Sequence, residues 1–302
     1  MIQIANAPVS YGVFELARPD LVRLPEGEEL AGWIGDSGYQ GIDLGPVGLL
    51  GTGPELVDRL RRHRLELAGG WVDLPFSGEQ GDFDRALGDL DAILDVFVTA
   101  ADAGQTLAPL PTLADTGDDA RRARPGGAPE LMLDGDRWER FAERVGVAAE
   151  RVRARGLEPT FHHHACTYIE TPEEVDALLA ATDVGLTFDS GHLLIGGGDP
   201  LPDFRRWRDR INHLHLKDAR TSVLAEAMGD DDPMRSVWEK RVFVPLGEGD
   251  LAMDDLVQEI VDSGYSGWLI VEQDVVPRST EDVERAKQEQ KANRERLRRW
   301  FA

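Results

Sequence analysis

Short apolar runs alternate with amphipathic segments along the whole chain, and this pattern predicts the secondary structure. The apolar runs predict strands at residues 2–8, 41–44, 66–72, 106–110, 159–164, 184–189, 211–216 and 268–272. Between them, apolar positions recur at helical spacing and predict helices at 26–36, 54–63, 83–103, 138–155, 172–181, 200–208, 253–263 and 280–301. Helices of this length between strands imply parallel pairing through right-handed crossovers.

Eight strand–helix units within 302 residues fit a closed (β/α)8 barrel better than an open sheet. The length would also allow two average domains, but barrels often reach this size as single domains. The predicted fold class is therefore α/β, a TIM barrel that forms one domain over residues 1–302.

Two segments lack a clear period. Residues 115–129 are rich in Asp, Arg, Gly and Pro, which predicts an exposed loop after the fourth strand. Residues 219–242 form a long connection after the seventh strand and include Trp238. Long loops that follow barrel strands lie on the active-site face. We therefore predict a lid there, with a solvated insertion as the alternative.

The composition is that of an acidic globular protein, with 41% apolar residues and a formal net charge of −23. An acidic surface repels nucleic acid and anionic membranes, so neither is expected as a partner. The single cysteine, Cys166, cannot form an internal disulfide, and no run resembles a signal peptide or a membrane span. We therefore expect a cytoplasmic protein; the sequence leaves a homo-oligomer open.

Side chains that commonly bind metals follow four of the predicted strands. Six of the seven histidines lie in the first three of these segments. The segments are Phe161-His162-His163-His164, Thr187-Phe188-Asp189-Ser190-Gly191-His192, His213-Leu214-His215-Leu216-Lys217-Asp218 and Leu269-Ile270-Val271-Glu272-Gln273-Asp274. Because the strands of a barrel all end on one face, these groups are expected to meet there.

The mixed donor set indicates the metal. Imidazoles and carboxylates together suit a borderline divalent ion, and we expect manganese, with cobalt, iron, zinc or magnesium as alternatives. Asp189, His215 and Glu272 are predicted ligands. Side chains alternate along a strand, so His162 and His164 share one face while His163 points to the other. Which of these three histidines binds the metal stays open at this point.

Further residues are candidates for a substrate pocket. Lys217 continues the inward parity of His213 and His215, and its ammonium group could stabilise an enolate oxygen or donate a proton. A plain salt bridge is the alternative. Trp71 ends the third predicted strand and Glu15 lies in the loop after the first, so both are predicted, with His213, to contact substrate. Core packing of Trp71 and solvation of Glu15 are the alternatives.

These motifs resemble the xylose isomerase-like barrel superfamily, which includes sugar phosphate isomerases and epimerases. The resemblance covers nearly the whole chain and is most specific from His162 to Asp274. Within the superfamily the chain is most similar to the inosose (2-keto-myo-inositol) dehydratases. The superfamily usually binds its metal through Glu, Asp, His and Glu. Asp189, His215 and Glu272 match the last three, and His162 would replace the first glutamate.

The histidine in that place is shared with the dehydratases. It removes one of the paired carboxylate bases that an isomerase would use, so the resemblance favours a histidine, His164, for proton abstraction. The N-terminal segment, residues 7–15, departs from the Trp-Ser-Asn-Asp type of sequence expected of the dehydratases.

The resemblance implies a metal-dependent lyase of carbohydrate metabolism, in inositol catabolism. It would dehydrate a cyclic polyhydroxy ketone such as scyllo-inosose. His164 would take the α-proton, Lys217 and Glu272 would act beside the metal, and His192 would protonate the leaving hydroxyl. The alternatives are a ketose isomerase or 3-epimerase, which share an enediolate step, or an enzyme of 3-keto-glycosides. A non-catalytic barrel and an apurinic endonuclease fit the residues and the charge poorly.

Overall fold

Eight parallel strands close into a barrel in the computed structural model, which describes residues 1–301. Each strand pairs with its neighbours in chain order, and the last strand pairs with the first from Ile2 opposite Gly267 to Asn6 opposite Val271. The strands are β1 Ile2–Asn6, β2 Gly41–Asp43, β3 Glu66–Leu74, β4 Leu110–Asp115, β5 Thr160–His162, β6 Gly185–Asp189, β7 Ile211–Leu216 and β8 Gly267–Val271.

One long helix follows each strand and packs outside the barrel. The helices are α1 Gly27–Asp36, α2 Gly53–Arg62, α3 Gln80–Asp102, α4 Gly135–Ala154, α5 Pro172–Ala181, α6 Pro200–Trp207, α7 Met253–Asp262 and α8 Thr280–Arg296. The predicted single-domain TIM barrel is confirmed; Ala302 lies outside the described residues. Within residues 1–301, no helix combines the length and apolar character that crossing a membrane requires.

Alternation along the strands separates the packed floor of the barrel from the polar mouth. Trp268 and Ile270 of β8 are fully buried in a small apolar cluster with alanines of β1 and β3. Gly41 leaves room for the indole, since a Cβ there would lie 2.6 Å from the ring of Trp268. Glu272 has the same parity as Trp268 and Ile270, so it points to the axis one layer higher.

The fourth strand begins later than predicted, at Leu110 rather than residue 106, and ends at Asp115. The prediction was wrong because the side chain of Glu66 binds the backbone at Thr106, which was expected to pair with a neighbouring strand. The Glu66 carboxylate accepts hydrogen bonds from the backbone N–H of Thr106 at 2.7 Å and from its hydroxyl at 2.8 Å. Ladder pairing therefore starts at Leu110, opposite Gly69.

The structure also corrects the prediction of an exposed loop at residues 115–129. Asp115 is a fully buried strand residue, and a short helix follows at Asp119–Arg122. Arg121 of that helix is fully buried, where it pairs with Glu174 and lies 4.6 Å over the ring of Tyr168. Composition suggested solvent exposure here, but a buried arginine is stable once a carboxylate and an aromatic ring surround it.

The segment 219–242 folds over the barrel mouth as two short helices, Ser222–Ala227 and Pro233–Glu239. Its buried residues form an apolar cluster with Leu16 and Ala165, separate from the main core. Trp238 and Met234 from this segment line a cavity at the mouth. This packing is not that of a solvated insertion, and the lid stays a prediction.

Gly69 of β3 lies where the barrel interior has little room for an added side chain, so we expect stability to depend on the size of the residue there. A Cβ there would lie 2.9 Å from His213 Nε2 and 3.1 Å from Asp43 Oδ1. We expect Gly69→Ala to lower the free energy of unfolding by about 1–3 kcal/mol, because the packed barrel interior resists overpacking. Gly88→Ala, in α3 with no atom within 4 Å, is the matched control and should raise it by about 0.5–1 kcal/mol. Urea titrations measure both; equal effects of the two substitutions would contradict the expectation.

Candidate active site

Four ligand-type side chains converge where β5, β6, β7 and β8 end. His162 Nε2 lies 3.4 Å from Asp189 Oδ2 and 3.2 Å from His215 Nδ1. His215 Nδ1 lies 3.6 Å from Asp189 Oδ2 and 3.3 Å from Glu272 Oε2. All four side chains are buried. The sequence placed these residues at one edge, and the structure brings their atoms around one point.

The cluster fits a divalent cation. Asp189 Oδ1 accepts backbone hydrogen bonds from Gly191 and His192, both at 2.9 Å, which fixes the carboxylate. Its other oxygen, Oδ2, receives no hydrogen bond although it is buried and can only accept. The Lys217 ammonium lies 3.3 Å from this oxygen and offsets part of the cost of its burial, and a divalent ion among the four side chains would offset more. Two imidazole nitrogens and carboxylate oxygens suit borderline divalent ions.

Lys217 supplies the positive charge beside this cluster. Its Nζ lies 2.9 Å from Glu272 Oε2, 2.8 Å from Asp274 Oδ1 and 3.3 Å from Asp189 Oδ2. Burial alone would lower the pKa of Lys217, but the three carboxylates outweigh it and raise the pKa above its usual value. The side chain therefore stays an ammonium and holds three buried carboxylates in place.

His215 shows how strongly the cluster attracts positive charge. Burial by itself would lower the pKa of His215, but the carboxylates of Glu272 and Asp189 raise it to about 10. A proton on this imidazole would compete with a metal for the same nitrogen, so metal binding would release it.

The rings of His164 and His192 contact each other beside the cluster, with their planes tilted by 40° and their centroids 3.8 Å apart. His164 Nδ1 lies 2.8 Å from the carbonyl oxygen of Ala165, a contact that requires the proton on Nδ1. Burial holds the pKa of His164 well below its usual value. In the neutral ring Nε2 therefore keeps its lone pair, and His164 lines the cavity.

Asp274 completes a second group with His164 and His192, whose candidate ligand atoms lie within 4.8 Å of one another. Lys217 occupies this second group: its Nζ is 3.0 Å from His192 Nε2 and 2.8 Å from Asp274. The indole N–H of Trp238 donates to Asp274 Oδ2 at 3.1 Å. An ammonium and an indole already satisfy these atoms, so we assign no metal to them.

A cavity of about 600 Å³ opens over the cluster on the barrel mouth. Trp71 forms part of its wall with 36% of its surface exposed, and its ring contacts His164 and His162 edge-on, at centroid distances of 4.8 and 5.5 Å. Glu15 lines the same cavity from the loop after β1. Cavities of this size, with a few convergent polar groups, typically hold small-molecule ligands.

The model of one protein family, described as a xylose isomerase-like TIM barrel, matches residues 33–300. The chain belongs to this family. A comparison with solved structures agrees with this assignment of the fold. The IolI protein, solved with a bound zinc atom, superimposes on this chain with a TM-score of 0.67 at 12% identity, covering 96% of each chain. At that identity the likeness shows the shared fold.

Two curated proteins are similar to this chain in sequence. The rhizopine catabolism protein MocC of Rhizobium meliloti is 33% identical over 295 residues, which cover 95% of this chain and 86% of MocC. The inosose dehydratase of Lacticaseibacillus casei is 36% identical over 154 residues. That alignment covers 50% of this chain and 52% of the dehydratase, so this chain spans about half the length of that relative.

Not every predicted site residue faces the cavity of this family member. His163 points outward, where its Nε2 accepts a hydrogen bond from the backbone N–H of Asp189 at 3.2 Å. His213 is fully buried below His215, and neither of its ring nitrogens has a partner. It does not line the cavity, so we give it no part in the function proposed below.

Sequence reasoning missed several buried carboxylates that line the cavity, and Asp43 and Asp274 are two of them. Burial raises the pKa of Asp43 to about 7 and the pKa of Asp274 to about 6. The signal was available for both. Asp43 is the first charged residue after the apolar residues of β2, and Asp274 has the parity of Glu272.

Proposed function

We propose that this protein is a divalent-metal-dependent dehydratase of a cyclic polyhydroxy ketone such as scyllo-inosose, acting in inositol catabolism. The observation that carries the proposal is the convergence of His162, Asp189, His215 and Glu272 around Asp189 Oδ2, which receives no hydrogen bond, beside a neutral His164. Manganese is the ion we expect at these four residues, and zinc, seen in the solved IolI structure, is the first alternative.

A divalent ion held there would act as a Lewis acid toward the ketone and an adjacent hydroxyl. The protein's own groups would move the protons. His164 would accept the α-proton at Nε2, because its Nδ1–H is donated to the carbonyl of Ala165 and fixes the ring. The rings of His192 and Trp71 contact His164 at a tilt and edge-on, with centroid distances of 3.8 and 4.8 Å, and restrict where it can turn.

Lys217 would stabilise the oxyanion that develops after proton removal, since preorganised charge is most effective in a site that excludes water. Glu272 orients this ammonium at 2.9 Å and would also bind the metal. His192 would protonate the leaving hydroxyl. Its Nε2 lies 3.0 Å from Lys217 and its Nδ1 lies 3.3 Å from the backbone N–H of Ala165. A neutral imidazole accepts a hydrogen bond at only one of its nitrogens, so one of these contacts must open for His192 to carry the proton that it would donate.

The sequence similarity to inosose dehydratases supports elimination rather than isomerisation, although it spans half the chain. A ketose isomerase or 3-epimerase would share the first proton transfer and then return the proton to another carbon. The position of His162 favours the dehydratase, because two carboxylates flanking the substrate are what an isomerase of this fold would use. An enzyme of 3-keto-glycosides would also begin with α-proton removal.

His164→Gln tests the assignment of the base. We expect kcat for scyllo-inosose to fall by at least about 10²-fold, because a positioned general base contributes at least that much. Manganese affinity should stay within about threefold, since the candidate ligands remain. Dione absorbance follows the elimination, and calorimetry follows metal binding. His63→Gln, on α2's C-terminal side and remote from the cavity, is the matched control.

The outcomes separate the candidate reactions. Dione formation that stops on adding a chelator and returns with manganese supports the proposal. Exchange of the α-proton with solvent without water loss would contradict it and favour an isomerase or epimerase. Full activity of His164→Gln would remove His164 from its role.

A further inference from the structure

The segment 219–242 at the barrel mouth is a loop whose two ends are joined. Asp218–Ala219 at its start pairs antiparallel with Phe243–Val244 at its end. The Asp218 carboxylate also accepts a hydrogen bond from the backbone N–H of Gly249 at 3.0 Å. Compact loops whose ends lie close together pack as units of their own and are frequently functional. The segment can therefore open as a unit while the barrel stays closed.

Three polar contacts tie the second half of this segment to the residues that follow β8. The pairs are Trp238 with Asp274, Glu239 with Arg278 and Arg241 with Glu289, at 3.1, 2.8 and 2.8 Å. The two arginine pairs are partly exposed, so solvent screens them and they contribute little. Trp238 and Asp274 are both buried, and the acceptor is a carboxylate. Their hydrogen bond is therefore the strongest of the three.

Asp274 joins this contact to the ammonium group of the active site. Its Oδ2 accepts the indole N–H of Trp238, and its Oδ1 lies 2.8 Å from Lys217 Nζ. Because a carboxylate is planar and rigid, fixing one oxygen also fixes the other. Lys217 Nζ further lies 4.8 Å from the centre of the Phe243 ring, at the end of the same segment. Two aromatic side chains of the mouth thus hold the ammonium group and shield it from water.

A buried indole N–H usually has a hydrogen-bond partner, so the bond by itself indicates only packing. Trp207 shows such a purely structural case. Its indole N–H donates to Asp176 at 2.8 Å, and Asp176 pairs with Arg206 on the outside of the barrel. The Trp238 bond has the same three parts, but its cation is Lys217, the buried ammonium beside the candidate metal ligands.

We propose that Trp238 is a positioning residue, which holds Asp274, and through it the Lys217 ammonium, only while the segment 219–242 covers the barrel mouth. Closing of the segment and orientation of the ammonium are then one event. An open segment leaves neither the fixed ammonium nor the dry surroundings in which its charge is most effective. The role of Lys217 in the reaction rests on the proposed function, whereas the main test below needs neither substrate nor metal.

The single cysteine of the chain measures whether the segment is open. Cys166 is 3% exposed and belongs to the same apolar cluster as Val237, Trp238 and Phe243. Dithionitrobenzoate therefore reaches its thiol when the segment moves away, and the labelling rate follows the population of the open form. Local opening depends little on urea and global unfolding depends steeply on it, so rates at several low urea concentrations separate the two.

On the metal-free full chain, we expect Trp238→Phe to raise the labelling rate about 10–100-fold. Phenylalanine keeps an aromatic ring but removes a hydrogen bond to a charged group. Lys217→Met should also raise the rate, because Asp274 loses the cation that holds its Oδ1. Both substitutions act through Asp274, so their effects should not multiply. The double variant should label within about threefold of the faster single variant.

Two control variants separate this coupling from general loosening of the fold. Trp207→Phe removes an indole–carboxylate bond of the same kind outside the barrel, and Glu239→Gln removes an exposed ion pair of the segment itself. Both should label within about threefold of the unmodified chain. The proposal is overturned if Trp238→Phe labels no faster than Trp207→Phe, if Lys217→Met leaves the rate unchanged, or if the two effects multiply.

The reaction supplies a second measurement that distinguishes this proposal from the proposed function. Trp238→Phe should lower kcat for scyllo-inosose by about tenfold while KM stays within about threefold, because the lost contact orients the ammonium rather than the substrate. Dehydration at the full rate by Trp238→Phe would remove the positioning role and keep the proposed function. Faster labelling of Trp238→Phe, without dehydration of scyllo-inosose by the unmodified chain, would keep the coupling and remove the proposed reaction.

Discussion

Asp189→Asn is expected to abolish metal binding and to lower kcat/KM for scyllo-inosose by about 10³–10⁴-fold, because Lewis-acid stabilisation provides several kcal/mol. The substitution isolates the charge. Asp189 Oδ1 caps the short helix Ser190–Ile195 through the N–H groups of Gly191 and His192. Asparagine caps helices as well as aspartate does, so the fold should survive while the oxygen that faces the metal loses its charge.

The measurement pairs metal titration with a thermal melt. Calorimetry should show no manganese uptake by Asp189→Asn, while its melting temperature without metal stays close to that of the unmodified chain. Asp209→Asn is the matched control, since its side chain is 93% exposed and it lies outside the site. Stoichiometric manganese binding by Asp189→Asn, with unchanged activity, would contradict the metal assignment.

Lys217→Met should destabilise the metal-free protein by about 3–5 kcal/mol, the usual cost of leaving a buried charge unpaired. Methionine keeps the length and apolar stem of the side chain, so the loss is mainly electrostatic. Asp189, Glu272 and Asp274 would then face one another without the ammonium group. In the unmodified chain the Lys217 nitrogen lies within 3.3 Å of an oxygen of each of these carboxylates. Catalysis should also fall, because the developing oxyanion loses its nearest cation.

Metal should rescue much of this stability. A divalent ion and the Lys217 ammonium neutralise the same carboxylates, so saturating manganese should stabilise Lys217→Met more than it stabilises the unmodified chain. Urea unfolding with and without manganese measures the difference. Lys240→Met, at a partly exposed lysine 3.2 Å from Asp230, is the control and should cost less than about 1 kcal/mol. An equal gain from manganese in both chains would show that the ammonium and the metal act independently.

The alternation of apolar runs and helical periods along the chain predicted most of the barrel's strands and helices. Strand-length apolar runs and helical periods predicted eight units, and all eight strands and helices are present, with boundaries shifted by a few residues at most elements. The predicted parity, with His162 and His164 on one face of the strand and His163 on the other, agrees with the structure, in which the first two rings line the cavity and His163 does not. Such patterns are local, and local period determines which side of a strand becomes buried.

The exceptions have a common cause. The fourth strand starts at Leu110 because the carboxylate of Glu66, forty residues away in sequence, accepts the hydrogen bond of the Thr106 backbone N–H. Arg121 is buried because Glu174 and Tyr168 surround it. Each outcome depends on a partner distant in sequence, which a local pattern cannot contain.

By itself, the sequence determined the barrel and the strand ends at which ligand-type residues appear, because hydrophobic period and strand parity are properties of neighbouring residues. Only the tertiary structure decided what those residues do to one another. It placed Lys217 among three carboxylates and buried His213 below His215. These contacts form only when the barrel closes, because electrostatic pairing depends on distances of a few ångströms between strands that are far apart in sequence.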